Sequence, residues 1–300
     1  MSNIERILVV VDAEEDFSSA TDGMPVELRK ALHFVHNKTS VELRLISVGY
    51  EKYLHHSFHS IGYDYIALRK EYVERMEASL NALTEKLTAQ GFKASSEVVW
   101  AHPRYEKIVQ KADEFDASLV VQHVRAYAKI EHYHLTNDSW QLVRFCNRPL
   151  LLVRDADWGK PVVMMAAVDP LHSHNKPLQL DDKIINTGIE VSAQLGGEFH
   201  VVHAYGESAR PFASAGKIKD EHSEAFDGLM ASYNLDASKV HFIDETPLFA
   251  LQSFSQQIHC NIIVMGAISR SRFSEAMIGS TAERTLDYIK TDVLIIKPTV

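Results

Sequence analysis

The residues best suited to chemistry lie near the C-terminus, where an apolar segment runs into a glycine-containing loop. The segment Asn261–Met265 reads as a buried strand, and Gly266 follows it directly. Nine residues separate Ser269 from Gly279, and Ser280 follows directly. Gly266 would permit a sharp exit from the strand and Gly279 a close approach of phosphate to the backbone. Ser280 would begin a helix whose free N–H groups favour an anion, so this spacing predicts a phosphate-binding loop.

Asp169 is the second candidate, because it ends the apolar run Met164–Val168. In an open parallel sheet, ligands bind beyond the carboxyl ends of the strands, where the strand order reverses. Two purely structural interpretations, which need no ligand, remain open. Asp169 also suits a turn ahead of Pro170. The segment 280–283 is also a capping box, which would satisfy a helix end without any ligand.

An internal repeat explains where these residues must lie. Apolar runs that end in an aspartate recur at an offset of 157, and later segments recur at offsets of 156 and then 143. The change corresponds to a deletion of about 13 residues between the second and third strands, which leaves the order of elements unchanged. The matching segments are Ile7–Asp12 with Met164–Asp169, Glu42–Val48 with Glu198–Ala204, and Ser96–Asp155 with Lys239–Pro298.

Each copy alternates strands and helices, which is the pattern of a parallel sheet with crossover helices. In the first copy we expect a helix near 71–90 with Gly91 as its stop. The chain is therefore predicted to be α/β, with two tandem Rossmann-like domains at 1–154 and 161–300, each a five-stranded parallel sheet with helices on both faces. The strands of the first copy are expected near residues 6–12, 41–49, 95–100, 118–122 and 149–153.

The glycine loop and the repeat together resemble the universal stress protein family. The family motif is glycine, two residues, glycine, nine residues, glycine and a serine or threonine, and tandem members of this length resemble the E-type. The resemblance implies an adenine nucleotide alpha hydrolase-type fold that holds ATP or a related adenine nucleotide, with or without Mg²⁺. One departure is that Ser269 replaces the second glycine. By position, the implied contacts are Gly266, Gly279 and Ser280 with phosphates, Ser269 and Thr281 beside them, Ala204 and Met265 with adenine, and Asp169 with adenine or ribose.

The first copy lacks the glycines that this site needs. The four equivalent positions are His123, Ala126, Thr136 and Asn137, so the phosphate site is predicted to be absent there. Asp12 would then stabilise a turn. The loop that replaces the site is bulky and aromatic, which suits either filling the empty pocket or holding a less polar ligand. Its large residues are Tyr127, His132, Tyr133, His134 and Trp140.

Local histidine spacing raises the question of a metal. Asp169, His172 and His174 could form part of a metal site, although no fourth ligand is evident and solvated loop histidines explain the same pattern. Arg270 and Arg272 could meet a triphosphate or lie in a solvated loop. The other local histidine groups are His55, His56 and His59, and His132 and His134.

Signals for catalysis are weak, since the sequence has no G-x-S-x-G elbow, no H-E-x-x-H motif and no P-loop lysine. The leading hypothesis is therefore a stress-response protein that binds an adenine nucleotide in its second domain and acts as a binding or signalling module. The alternatives are a slow ATP hydrolase, a metal-dependent hydrolase, and a binder of an apolar or lipid-like ligand with a vestigial nucleotide site.

Composition limits the partners. A net charge of -9 over 300 residues argues against nucleic acid, and the absence of an apolar span of 18 residues argues against membrane insertion. Cys146 and Cys260 fall in different copies without metal-site spacing, and the N-terminus shows no targeting pattern, so we expect a cytoplasmic protein. The family resemblance also allows a homodimer.

Overall fold

The computed structural model describes residues 4–15, 17, 20–50, 65–124, 136–171, 179–207, 216–267 and 286–298. These residues divide into two compact units. The first contains those up to His123 and from Thr136 to Val153, and the second contains Val124 and those from Arg154 onward. Among the described helices, none is both long and apolar enough to cross a membrane.

The first unit is a parallel sheet in which β1 lies between β2 and β4. Its strand order is β3-β2-β1-β4-β5, and every pairing is parallel. The strand order reverses between the first and fourth strands, as the sequence predicts. The elements are β1 Arg6–Val10, α1 Val26–Leu32, β2 Glu42–Gly49, α2 Tyr65–Ala89, β3 Lys93–Trp100, α3 Arg104–Glu114, β4 Leu119–His123, α4 Asn137–Phe145 and β5 Leu150–Val153.

The second unit repeats this topology, with β6 between β7 and β9. Its strand order is β8-β7-β6-β9-β10, again parallel throughout. The tandem α/β fold is therefore confirmed. The elements are β6 Val163–Ala167, α5 Leu180–Gln194, β7 Glu198–Ala204, α6 Lys217–Met230, β8 Val240–Ile243, α7 Pro247–Gln257, β9 Ile262–Gly266 and β10 Asp292–Ile296.

The two ends of α2 show how well sequence signals fix a helix. Gly91 has φ +87°, a left-handed conformation that suits the expected stop. The described part of the helix already includes Tyr65, six residues before the expected start, and residues 66–70 are exposed, so no buried apolar stripe marks this segment in the sequence. The apolar residues at helical spacing are buried, except for the half-buried Val73; they are Val73, Met76, Leu80, Leu83 and Leu87.

Helices cover both faces of the second sheet. On one face, α5 lies so close to β7 that a Cβ added at Gly188 would stand 2.1 Å from the Phe199 ring. His203 points to that same face, because alternate strand residues share a face. On the other face, Val202 packs in a buried cluster with Leu251 and Phe254 of α7. The strand β7 is therefore buried on both sides.

Candidate functional site

The carboxyl ends of β6, β7 and β9 bring three candidate residues to one edge of the second sheet. Ala167, the last residue of β6, pairs with Val202 on one side and with Met265 on the other. Asp169 and Ala204 each lie two residues beyond that level, and Gly266 one residue beyond it. Three residues from different parts of the second copy thus reach the expected edge.

Asp169 is held at this edge through its backbone. Its N–H donates to Asp181 Oδ1 at 3.1 Å, and Asp181 is 1% exposed in the first turn of α5. A carboxylate at this position is favoured by the helix dipole and by the free N–H groups of the first turn. The contact links the exit of β6 to the start of the helix that follows it.

Gly266 has a packing role that the sequence did not reveal. It is the last residue of β9 and pairs with Ile296, and its φ is not in the left-handed region. A Cβ there would stand 2.8 Å from Leu180 Cδ2 and 3.2 Å from Ile184 Cδ1. The glycine lets the side chains of α5 pack directly on the strand end, and a sharp exit of the chain does not explain it.

The two residues expected to line an adenine pocket differ in access. Ala204 is half-buried at the end of β7. Met265 is only 6% exposed, because β9 is covered on both faces. A ligand at this edge could therefore contact the small Ala204 side chain directly, but only a margin of Met265.

The remaining predicted contacts lie outside the described residues. They are the four loop positions Ser269, Gly279, Ser280 and Thr281, the arginines Arg270 and Arg272, and the metal candidates His172 and His174. Within the part of the chain that the structure describes, no three His, Cys, Asp or Glu side chains are grouped to hold a metal ion.

Two buried histidines lie next to the Asp169 backbone. His203 Nδ1 is 3.0 Å from the carbonyl oxygen of Val168, and His203 Nε2 is 2.8 Å from Nδ1 of His222 on α6. The two side chains are 2% and 8% exposed. Burial lowers the pKa of His203, and the neighbouring His222 lowers it further, whereas the hydrogen bond to Val168 and the charges of Asp169 and Asp181 oppose the shift.

A pocket of about 390 Å³ lies at the opposite ends of the strands. Asn261 and Thr291, which precede β9 and β10, line it together with Trp158 and Cys260. Burial raises the pKa of the Cys260 thiol to about 12, so this group stays protonated and is a poor nucleophile. The pocket therefore lies at the other end of β9 from Gly266, after which the glycine loop follows.

The relation to known proteins follows from a family model that describes the universal stress protein family. It matches residues 3–154 and 178–297 of this chain. The chain belongs to the universal stress protein family.

The named relatives match this chain over nearly the whole length of both proteins. Universal stress protein E of Escherichia coli strain K12 is 23% identical over 314 residues, which cover 99% of this chain and 95% of the relative. A putative universal stress protein from Pseudomonas aeruginosa UCBPP-PA14 superposes with a TM-score of 0.75 at 22% identity, covering 98% of this chain and 94% of that one. One from Archaeoglobus fulgidus DSM 4304 gives 0.62 at 16% identity, covering 99% of each.

The first universal stress protein domain shows what the equivalent edge looks like without the glycine motif. Thr136, at the position of Gly279, caps α4 by accepting a hydrogen bond from the Ser139 N–H at 3.2 Å. His123, at the position of Gly266, is half-buried, as is Trp140. The other aromatic residues of this loop lie outside the described residues.

Asp12 of the first universal stress protein domain makes a turn, as expected. Its Oδ1 accepts a hydrogen bond from the Glu14 N–H at 3.2 Å. Because this turn begins at Asp12, β1 ends at Val10 and is two residues shorter than the predicted strand. The carboxylate is therefore used for local structure.

A second histidine pair lies on the opposite face of β7 in this universal stress protein. His200 Nδ1 is 2.9 Å from His241 Nε2 on β8, and Lys239 Nζ is 3.4 Å from His200 Nε2. Burial, then Lys239, then His241, lowers the pKa of His200 to about 4. Glu198 forms an ion pair with Lys239 beside them.

Neither pair was found from local spacing, because the partners are 19 and 41 residues apart. A usable signal was nevertheless present. His200 and His203 interrupt an otherwise apolar strand, and a polar side chain within a buried strand must find a hydrogen-bond partner.

Proposed function

We propose that the second universal stress protein domain binds ATP or a related adenine nucleotide at the carboxyl ends of β6, β7 and β9. The observation that carries the proposal is the convergence of Asp169, Ala204 and Gly266 at this edge. From Gly266 the chain continues into the spacing that ends at Gly279 and Ser280, so a phosphate loop leaves from the same edge.

In this arrangement each residue has a distinct role. The Asp169 carboxylate accepts hydrogen bonds from ribose or adenine, and the small Ala204 side chain leaves room for a planar base. The phosphates meet backbone N–H groups at Gly279 and the helix that Ser280 begins. Any Mg²⁺ would arrive with the triphosphate and keep most of its water ligands.

The protein would act as a binding or signalling module of the cytoplasm, with the nucleotide as its ligand. The net charge of -9 disfavours nucleic acid as a partner. A homodimer is part of the same proposal, and light scattering coupled to size-exclusion chromatography measures it directly.

Calorimetric titration with ATP tests the site. We expect one ATP per chain for the wild type and a loss of affinity of about a hundredfold for Gly279→Trp, since the indole would occupy the phosphate position. Asp169→Asn should weaken binding by about tenfold, the value of one charge-assisted hydrogen bond. No binding by the wild type, or equal binding by wild type and Gly279→Trp, would overturn the proposal.

Asp12→Asn is the matched control, because Asp12 occupies the equivalent position in the first copy. Asparagine can make the same turn through its side-chain oxygen, so this variant should fold and bind ATP like the wild type. A loss of affinity in Asp12→Asn equal to that in Asp169→Asn would show that the second domain is not the site.

A further inference from the structure

The corner between β6 and α5 is held through two successive backbone groups. The carbonyl of Val168 is bonded to His203 Nδ1 at 3.0 Å, and the N–H of Asp169 is bonded to Asp181 Oδ1 at 3.1 Å. These two groups belong to the same peptide unit, the one that joins Val168 to Asp169. Fixing both of its ends fixes the plane of this peptide and the position of the Asp169 Cα at its edge, so that only φ and χ1 of Asp169 remain to set where its carboxylate points.

Geometry settles the protonation of the neutral histidine pair. A carbonyl oxygen only accepts, so His203 carries its proton on Nδ1 and donates it to Val168. His203 Nε2 is then an acceptor, and the proton between the rings lies on His222 Nδ1. The result is a directed chain of donors from α6 through β7 to the Val168 carbonyl.

Neighbouring rings hold this chain in place. The His203 ring lies 5.4 Å from the ring of Phe226 and 5.9 Å from that of Phe242. Phe242 also stacks on Tyr205 at 4.3 Å. Aromatic packing of this kind leaves the imidazole few alternative rotamers, so the hydrogen bond to Val168 is preorganised.

The second hydrogen bond of the corner, from the Asp169 N–H to Asp181, depends on how closely α5 lies on the sheet. The Gly188–Phe199 contact and the Gly266–Leu180 contact allow the helix to approach both β7 and β9. That approach places Asp181, at the start of the helix, within hydrogen-bond distance of the Asp169 N–H. Two elements from opposite sides of the corner thus meet at one peptide unit.

We propose that His203, His222 and Asp181 are positioning residues, which fix the Val168–Asp169 peptide and so aim the Asp169 carboxylate at the nucleotide. This inference rests on the proposed function of the same site. The three side chains act through Asp169 and need not touch the nucleotide themselves.

Hydrogen exchange of the Asp169 amide tests the positioning without any nucleotide. In His203→Leu the Val168 carbonyl loses its donor, and we expect the Asp169 amide to exchange about tenfold faster. In His203→Asn the side-chain nitrogen can take the place of Nδ1, and protection should remain. His222→Phe keeps the ring volume and removes the donor to His203, so it should give an intermediate rate.

His241→Leu is the control for these variants. It removes an imidazole from the other histidine pair, on the opposite face of β7, and should leave the Asp169 amide unchanged. If His203→Leu and His203→Asn exchange alike, or if His241→Leu accelerates exchange as much as His203→Leu, the positioning role is wrong. Should His203→Leu fail to fold, His222→Phe decides the matter.

A double-mutant cycle with ATP then tests whether the pair acts through Asp169. We expect His203→Leu to weaken ATP binding by about fivefold in the wild-type background and by less than about twofold in the Asp169→Asn background. Equal losses in the two backgrounds would overturn the inference. If the wild type binds no ATP, the proposed function fails, and the exchange rates alone decide whether these residues fix the peptide.

Discussion

The carboxyl edges of the two sheets are equivalent places in the repeat, and they are held in different ways. In the first, Asp12 bonds to the N–H of Glu14, and Ser47 Oγ accepts a hydrogen bond from the Ala13 N–H at 3.3 Å. In the second, the position of Ser47 is taken by His203, which reaches the Val168 carbonyl and His222 on α6. Both copies thus use a side chain of the second strand at this corner, but only in the second copy do the contacts described here continue from that side chain to a helix.

The difference shows that one backbone topology can support two kinds of edge. In the first copy the aspartate side chain is an internal part of the turn. In the second copy the equivalent turn is held through the backbone N–H of the aspartate and through side chains from β7 and α5. Because the second corner is held through its backbone, the side chain at this position is not needed to form the turn. It can therefore be selected for contact with a ligand.

The largest expected effect on stability comes from a substitution that pushes α5 away from the second sheet. Gly188→Ala would place a Cβ 2.1 Å from the Phe199 ring, so we expect a loss of about 1–3 kcal/mol in the free energy of unfolding, despite the higher helix propensity of alanine. Gly228→Ala, on α6, meets nothing within 4 Å and should gain about 0.5–1 kcal/mol. Urea denaturation measures both, and equal effects would contradict the close approach of α5.

The next effect is a loss of stability in acid that is specific to the second copy. The folded-state pKa of His200, about 4, lies below its unfolded value, so the unfolded chain binds more protons. The contribution of His200 to the free energy of unfolding should therefore be fully present above about pH 7 and be lost between pH 6.5 and 4. The loss should be roughly 1–2 kcal/mol, because Lys239, which causes part of the pKa shift, is partly solvated.

His200→Gln should remove much of that pH dependence. The equivalent position in the first copy is Arg44, whose guanidinium lies 4.1 Å from the centre of the Phe115 ring, so the first copy has no histidine there. Urea denaturation at several pH values measures the slope. An unchanged slope in His200→Gln would show that another group is responsible.

The smallest effect is expected at the first edge. Tyr72 of α2 donates a hydrogen bond to Glu14, and burial followed by this hydrogen bond raises the pKa of its phenol. Tyr72→Phe should lower the free energy of unfolding by about 1 kcal/mol. It should leave ATP affinity unchanged, because the proposed site is in the second copy. A matching loss of ATP affinity would mean that the first edge also takes part in binding.

Sequence reasoning predicted the elements whose signals are local or repeated. The apolar runs before Asp12 and Asp169 predicted the first strand of each copy, and a proline marks the start of the third helix in each, Pro103 in one and Pro247 in the other. The turn at Asp12 is confirmed as well. The domain limits 1–154 and 161–300 and the phosphate contacts of the glycine loop stay predictions.

What could not be predicted depends on contacts between elements far apart in the chain. The pairing of His203 with His222 requires the exact approach of α6 to β7, which no periodicity encodes. The role of Asp181 depends on where α5 starts above β6. Gly266 looked like a loop glycine, because the sequence does not show that Leu180 and Ile184 lie over it.

The hydrogen bond between the Asp169 amide and the Asp181 carboxylate closes a loop in the chain. The segment 170–180 is thereby tethered at both ends. Because the entropy cost of closing a loop grows only with the logarithm of its length, doubling the number of residues between these two groups would cost about 0.6 kcal/mol. Insertions between β6 and α5 would therefore alter what reaches the proposed binding edge while the edge itself stays in place.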